Sequence, residues 1–255
     1  MSSPVVVSQR EGVAIIRMNV PSKLNALDPT GVALLIDAVE RACGSHRIRA
    51  IVITGGERAF CSGEDLEVAA GLTCDEFDRQ AADYQRLART LLETDKPTIA
   101  AVAGVAFGGG LELALNCDVR IASADARFAC PEAQWGLTVS NASSLLLRQC
   151  VGEGWARELV IFGRVLDAQD ALSIGLVTRV VETGTVVDEA IKVASAVALA
   201  PVQGVAYAKQ LLRASAPGTD AALALESELL SASFRVPETV DRITSFVAGK
   251  RESRP

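Results

Sequence analysis

Residues 96–118, KPTIAAVAGVAFGGGLELALNCD, constrain the fold of this chain more than any other stretch. From Thr98 to Phe107 the run is apolar and rich in Ala and Val, a composition that suits a buried strand. It meets Gly108-Gly109-Gly110. Three glycines forfeit backbone entropy, so they make sense where the main chain turns sharply or where another group comes hard against it. Leu111-Glu112-Leu113-Ala114-Leu115 follows with good helix formers, which sets the glycines at a helix start whose unpaired N–H groups attract negative charge. Glu112 lies three residues past Gly109, about one turn along the same face, and places a carboxylate beside those donors on an otherwise apolar segment. Such a carboxylate can act as a base. The same glycines also suit a tight strand-to-helix joint with Glu112 turned to solvent.

Two nucleotide-binding readings are excluded. The dinucleotide fingerprint needs a further glycine three residues after Gly110, and that position is Leu113. The P-loop needs Gly-Lys-Ser/Thr, whereas Gly249-Lys250 is followed by Arg251. Histidine narrows the chemistry further, because His46 is the only one, set among charged residues before a strand. Ser–His–acid or Cys–His machinery would rest on that one residue, and no G-x-S-x-G elbow accompanies it. In an enzyme of this sequence, carboxylates and backbone groups must do the work.

A hydrophobic content of 49% over 255 residues fills a sizeable core, and only 4% aromatics implies closely layered small side chains. The net charge of −6 argues against a generic nucleic-acid binder. Six cysteines (Cys43, Cys61, Cys74, Cys117, Cys130, Cys150) form no C-x-x-C pair, so no metal site is expected and a reducing compartment is the simpler inference. No basic region leads an apolar one at the start, and the run from Ile99 to Leu111 is too short and glycine-rich to span a bilayer. A cytoplasmic protein without membrane or nucleic-acid partners is expected.

Along the chain, PVVVS and VAIIRMNV read as two strands about a turn at residues 9–12. Asp28-Pro29 caps and opens a helix to about Cys43, and residues 49–54 are a buried strand. Ala59 to Leu66 reads as a loop with an exposed backbone at Gly63, followed by an amphipathic helix over 75–94. After the central segment, residues 119–122 and 126–129 are short strands. Cys130-Pro131-Glu132 brings a second carboxylate to a chain corner, and Trp135 is assigned to core packing. A helix from Ala142 to Cys150 takes Ser140 as its cap, and Ala168–Ser173 and Val177–Val181 read as helix and strand. From about 185 come helices over 187–199, 202–215, 220–235 and 238–249, with apolar faces expected to pack on another subunit. The recurrence of strand, strand and helix through the first two thirds is like turns of a spiral.

Several stretches in order resemble the crotonase superfamily, the enoyl-CoA hydratases and isomerases, over essentially the whole chain. NVPSKLNALD (19–28) is similar to the N-x-P-x-x-x-N-A-L signature beside the CoA moiety, which implies CoA contacts for Ser22, Lys23, Leu24 and Ala26. TGGERAFCSGEDL (54–66) is similar to T-G-x-G-x-x-F-(C/A)-(A/S)-G-x-D-L, which adds Ser62, Gly63, Asp65 and Leu66. The central segment resembles K-P-x-I-A-A-V-x-G-x-A-x-G-G-G-x-E-L, and FACPEAQWGL resembles F-x-x-P-E-x-x-x-G, which bring in Gly108 and Gly136. Lys250, with Lys23, lies near the positions where the family touches CoA phosphates.

The resemblance implies an α/β fold: a crotonase-like spiral of ββα turns over residues 1–195 holding the site, then a helical region, 196–255, that assembles homotrimers paired into hexamers. By the same analogy the N–H groups of Glu64 and Gly109 form an oxyanion hole for a thioester carbonyl. Glu112 takes a proton from water as it attacks Cβ, and Glu132 supplies one to Cα. The implied reaction is reversible hydration of a 2-enoyl-CoA thioester, with no metal or cofactor and with CoA as part of the substrate. Isomerisation between 3-enoyl and 2-enoyl CoA, or another crotonase-type acyl-CoA reaction, is the first alternative. A non-catalytic acyl-CoA or RNA binding protein is the rival from another class, against which the acidic charge and the Glu pair weigh. One departure stands out: where hydratases have P-G-A-G-G, this chain has Val139-Ser140-Asn141-Ala142-Ser143. That stretch, Asn141 included, is expected near the acyl group, so an unusual or polar-substituted substrate is implied.

Overall fold

In the computed structural model, which describes residues 3–214 and 218–252 and side chains as far as 249, the chain winds back and forth between two sheets. β1 (Val5–Arg10) and β2 (Val13–Met18) form an antiparallel hairpin. Asp28 then caps α1 (Pro29–Gly44), its Oδ1 accepting from Gly31 N at 2.7 Å, as an Asp-Pro pair should. β3 (Ala50–Thr54) lies parallel to β2. The short α2 (Leu66–Ala69) follows, then α3 (Cys74–Glu93), opened by a capping box between Thr73 and Glu76. The next elements are β4 (Thr98–Val102), β5 (Val105–Phe107), α4 (Gly109–Leu115), β6 (Val119–Ser123) and β7 (Arg127–Ala129). α5 (Ser143–Val160), β8 (Leu166–Asp167), α6 (Ala168–Ser173) and β9 (Arg179–Val181) complete the two layers.

The larger sheet has the order β1-β2-β3-β4-β6-β9 and is parallel beyond its first hairpin. The smaller one runs β5-β7-β8 and is extended by parallel bridges from Cys61 to Ala106 and from Leu27 to Glu64. Each turn of chain therefore leaves the large sheet, touches the small layer and returns through a helix. This is an α/β spiral of ββα turns. The apolar run from Thr98 to Phe107, predicted as one strand, is two strands in different sheets. The break falls at Gly104, which has φ +55°, and a Cβ there would meet Arg58 O at 2.2 Å. That bend carries Gly108 to Gly110 out of the large sheet to the end of the small one.

One face of the large sheet takes α7 (Val186–Ala198), whose Val186, Ala190 and Ala194 recur every four residues against Val13, Ala50, Val52 and Ala101. The small side chains let helix and sheet approach closely, which explains the low aromatic content. The helices α8 (Val202–Ala214), α9 (Thr219–Phe234) and α10 (Pro237–Glu252) follow. Their apolar faces were expected to pack on another subunit, yet α9 and α10 spend part of theirs on their own chain. Phe234 of α9 stacks on Phe77 of α3 with centroids 3.7 Å apart, and Leu230 and Ile243 join that cluster. Arg89 pairs with Asp220 at 2.6 Å and Arg235 with Asp78, fixing α9 along α3. Tyr207, Leu212, Leu225 and Leu229 stay exposed. Among the described residues no single helix is long and apolar enough to cross a membrane.

Candidate active site

Two backbone N–H groups meet at the seam between the spiral's second and third turns. The parallel bridge of Leu27 to Glu64 uses the flanking groups: Leu27 N donates to Gly63 O at 2.8 Å, and Asp65 N to Leu27 O at 2.9 Å. Strand alternation then turns the Glu64 N–H the other way, towards α4. Gly109 is the first residue of α4, where an N–H has no partner within the helix. The two segments are nearly in contact, since a Cβ on Gly63, whose φ is +92°, would lie 3.2 Å from Gly109 N and 2.8 Å from Phe107 O. Both amides border one cavity of about 90 Å³, which Glu112, Glu132, Tyr84, Asn141 and Leu230 also line.

Glu112 is only 2% exposed and faces the cavity, not solvent. Its Oε1 accepts from Ser140 N at 2.6 Å, and its Oε2 accepts from Ser140 Oγ and from Asn141 Nδ2, both at 2.7 Å. Burial first, then the neighbouring Glu132, push its carboxyl well above the usual range, while the Ser140 donors oppose them. Glu132 sits across the cavity, where the missing side chain of Gly108 leaves it room: a Cβ on Gly108 would be 2.9 Å from Glu132 Oε1. Burial pushes Glu132 up to about 7, and its Oε2 has no hydrogen-bond partner. Two carboxyls thus share the site in unlike surroundings, one held by three donors and the other by no more than its own backbone N–H.

The cavity opens into an outer groove of about 580 Å³, lined by Ser22, Lys23, Leu24, Ala26, Ser62, Asp65, Leu66 and Trp135 among others. Ser62, Glu64, Leu66, Pro131 and Trp135 border both spaces, so the two are continuous. A larger groove of about 810 Å³, between α8, α9 and the Leu115–Arg120 stretch, contains none of the sequence-predicted site residues. Asn25 fixes the outer loop from beneath, its Nδ2 donating to Ala59 O at 2.8 Å and its Oδ1 accepting from Val20 N at 2.8 Å. Lys23 is paired with Asp65, which raises its pKa. Among the described residues no group of three or more His, Cys, Asp or Glu side chains is placed to hold a metal ion.

The sequence of residues 8–252 matches the family model described as enoyl-CoA hydratase/isomerase. The chain belongs to the enoyl-CoA hydratase/isomerase family. It is 32% identical to the short-chain-enoyl-CoA hydratase of Clostridium acetobutylicum over 96% of this chain and 95% of that one. It is 30% identical to the crotonyl-CoA hydratase of Syntrophomonas wolfei over 97% and 96%. Among solved structures it resembles an enoyl-CoA hydratase/isomerase from Pseudoalteromonas atlantica with a TM-score of 0.88, 33% identity and coverage of 97% and 98%.

Within this family frame, three sequence expectations change and a fourth falls outside the described side chains. Gly136 borders neither the cavity nor the groove. It closes the short turn over Glu132–Trp135 with φ +81° and accepts a hydrogen bond from Thr239 Oγ1 at 3.3 Å, so it seats α10 instead of substrate. The Lys250 side chain lies outside the described residues. Trp135 is not core: it borders both spaces and leans on Phe246 with centroids 4.5 Å apart. Ser140 is not a helix cap, because α5 starts only at Ser143 and Ser140 is committed to Glu112.

The cap of α5 comes from elsewhere. Asn141 and Ala142 take left-handed conformations with φ +62° and +63°, and no side chain of α5's own segment caps the helix. Glu226 of α9 does so, accepting from Ala142 N at 2.6 Å and from Ser144 N at 2.8 Å. Burial raises its pKa, which those donors oppose. This anion at a helix N-terminus holds the loop that presents Ser140 and Asn141 to Glu112. Glu226→Ala should therefore lower unfolding free energy by about 1–2 kcal/mol, as loss of a cap does. It should also lower kcat by about 10-fold or more with a smaller change in KM, because Glu112 loses its fixed donors. A kcat equal to that of the unaltered enzyme would separate the loop from the base. No local signal marks Glu226, which is 84 residues from Ala142.

Proposed function

We propose that the chain adds water reversibly across the double bond of a 2-enoyl-CoA thioester. The observation that carries this reading is the pair of unlike carboxyls, Glu112 and Glu132, facing two free amides across one buried cavity. The thioester oxygen sits on Glu64 N–H and Gly109 N–H, which draws electrons from the conjugated chain and makes Cβ electrophilic. Glu112 in its ionised form, which its three donors favour against the burial that raises it, takes a proton from water as the new C–O bond forms at Cβ. The π electrons move onto the thioester oxygen as an enolate. On its collapse the pair returns to Cα, which takes the proton of Glu132. No net oxidation or reduction occurs, so no redox cofactor enters the step. CoA occupies the outer groove, and the small size of the inner cavity, about 90 Å³ beside about 580 Å³, favours short acyl groups.

Loss of the conjugated thioester absorbance with crotonyl-CoA tests hydration, and a trans-3-enoyl-CoA substrate tests isomerisation. Activity on the latter alone would overturn the reading. The carboxyl pair also sets a pH dependence. Rising pH strips the proton from Glu132, pushed up to about 7, and removes the acid; falling pH protonates Glu112 and removes the base. The profile of kcat/KM should be a bell, because the step needs one carboxyl of this interacting pair protonated and the other ionised, and both are raised by burial. A rate flat across roughly pH 5 to 9 would deny the pair its two roles.

A further inference from the structure

Resting on that reading, we infer that the cavity selects acyl groups bearing a neutral polar substituent, a hydroxyl or a carboxamide, held by the side chains of Glu64 and Tyr84. Hydration uses only the backbone of Glu64. Its carboxyl stands where the groove meets the cavity, and its Oε1 is buried without a hydrogen-bond partner. Lys23, the cation of the outer groove, is taken by Asp65. Tyr84 reaches the same place from α3, with Cε1 3.9 Å from where a Cβ of Gly109 would stand. Its hydroxyl is buried without a hydrogen bond inside ordinary limits, although Gln80, whose Oε1 is also unpartnered, lies beside it and acts on it. Asn141 Oδ1 is a further buried acceptor left unpaired beside them.

Buried polar groups are almost always paired, so several orphans lining one substrate cavity point to a partner carried by the substrate. Leu66, Trp135, Leu137 and Leu230 give the same cavity its apolar lining. Charge decides the kind of substituent. Three carboxyls, Glu64, Glu112 and Glu132, line the cavity, and among the described residues no Lys or Arg does. A second carboxylate on the acyl chain would meet only like charge. Burial, with Asp65 adjacent, pushes Glu64 up to about 7, so near neutrality it can donate as well as accept, as a hydroxyl or amide partner requires.

Binding of saturated acyl-CoA ligands by calorimetry tests this without turnover. The wild-type chain should bind 4-hydroxybutyryl-CoA or 5-hydroxyvaleryl-CoA at least about 10-fold more tightly than butyryl- or valeryl-CoA, because a site built to pair a hydroxyl rejects the analogue lacking it. Succinyl-CoA should bind more weakly than butyryl-CoA. In Glu64→Leu and in the milder Tyr84→Phe, the ratio of hydroxylated to plain ligand should fall to within about 2-fold of unity. Equal wild-type affinities, a preference that survives both substitutions, or tighter binding of succinyl-CoA would overturn the inference. Failure to hydrate crotonyl-CoA strikes the hydratase reading alone, since the ligand ratio is read independently.

Discussion

Glu112→Gln should hydrate crotonyl-CoA at least about 10²-fold more slowly than the wild-type chain while still binding CoA thioesters. The carboxylate accepts from three donors, Ser140 N, Ser140 Oγ and Asn141 Nδ2, and none of these can be replaced by water in a site 2% exposed. An amide keeps the shape but turns its NH2 towards at least one donor and has no basic lone pair to take a proton. The base is lost, and the loop over Ser140 and Asn141 is held less firmly. The outer groove, built on Ser22 to Ala26 and Asp65, is untouched, so ligand affinity persists. Stopped absorbance assays and calorimetry give the two readouts. A rate within about threefold of wild type would remove Glu112 from the proton transfer.

Gly110→Ala should fail more broadly. A Cβ at this position would lie 2.2 Å from Cys61 O and 2.8 Å from Cys61 C, both main-chain atoms. The Cys61 carbonyl cannot swing aside, because it accepts from Phe107 N at 3.0 Å while Cys61 N donates to Val105 O at 3.0 Å. Relief must come from displacing α4, which carries Gly109 N and Glu112. We expect a loss of about 3 kcal/mol or more in unfolding free energy, at the upper end for an overpacked site. The residual folded enzyme should have a rate down by about 10², the usual consequence of moving a reacting group by about 1 Å. Gly154→Ala is the control: it sits in α5 with nothing within 4 Å of a Cβ, so it should hold or raise stability. Equal denaturation midpoints for both variants would show that the close approach carries no energy.

Much of this was legible in the residues. Asp28-Pro29 declared a helix start, α3 showed its apolar face at Phe77, Tyr84, Leu87 and Leu91, and the glycines at 108–110 announced a joint of unusually tight packing. These signals are local, governed by capping, periodicity and backbone freedom within a few residues. The misreadings share a cause as well. Residue type alone assigns Trp135 to the core, yet its ring borders a groove that Phe246 of α10, distant in sequence, also lines. Ser140 precedes a helix and so has the local mark of a cap, yet Glu112, 28 residues back in sequence, takes it with two hydrogen bonds.

By itself the sequence determined the alternation of strand and helix, the family, and the identity of the two carboxylates beside a glycine-rich turn. Tertiary structure alone decided the rest: that the apolar central run divides between two sheets at Gly104, that Glu226 of α9 caps a helix 84 residues earlier, and that Glu64 and Tyr84 leave polar atoms unpaired in the same cavity. The physical reason is the range of the forces. Backbone propensity acts over one turn, whereas a buried hydrogen bond is worth making only between groups that the whole fold has already brought out of water.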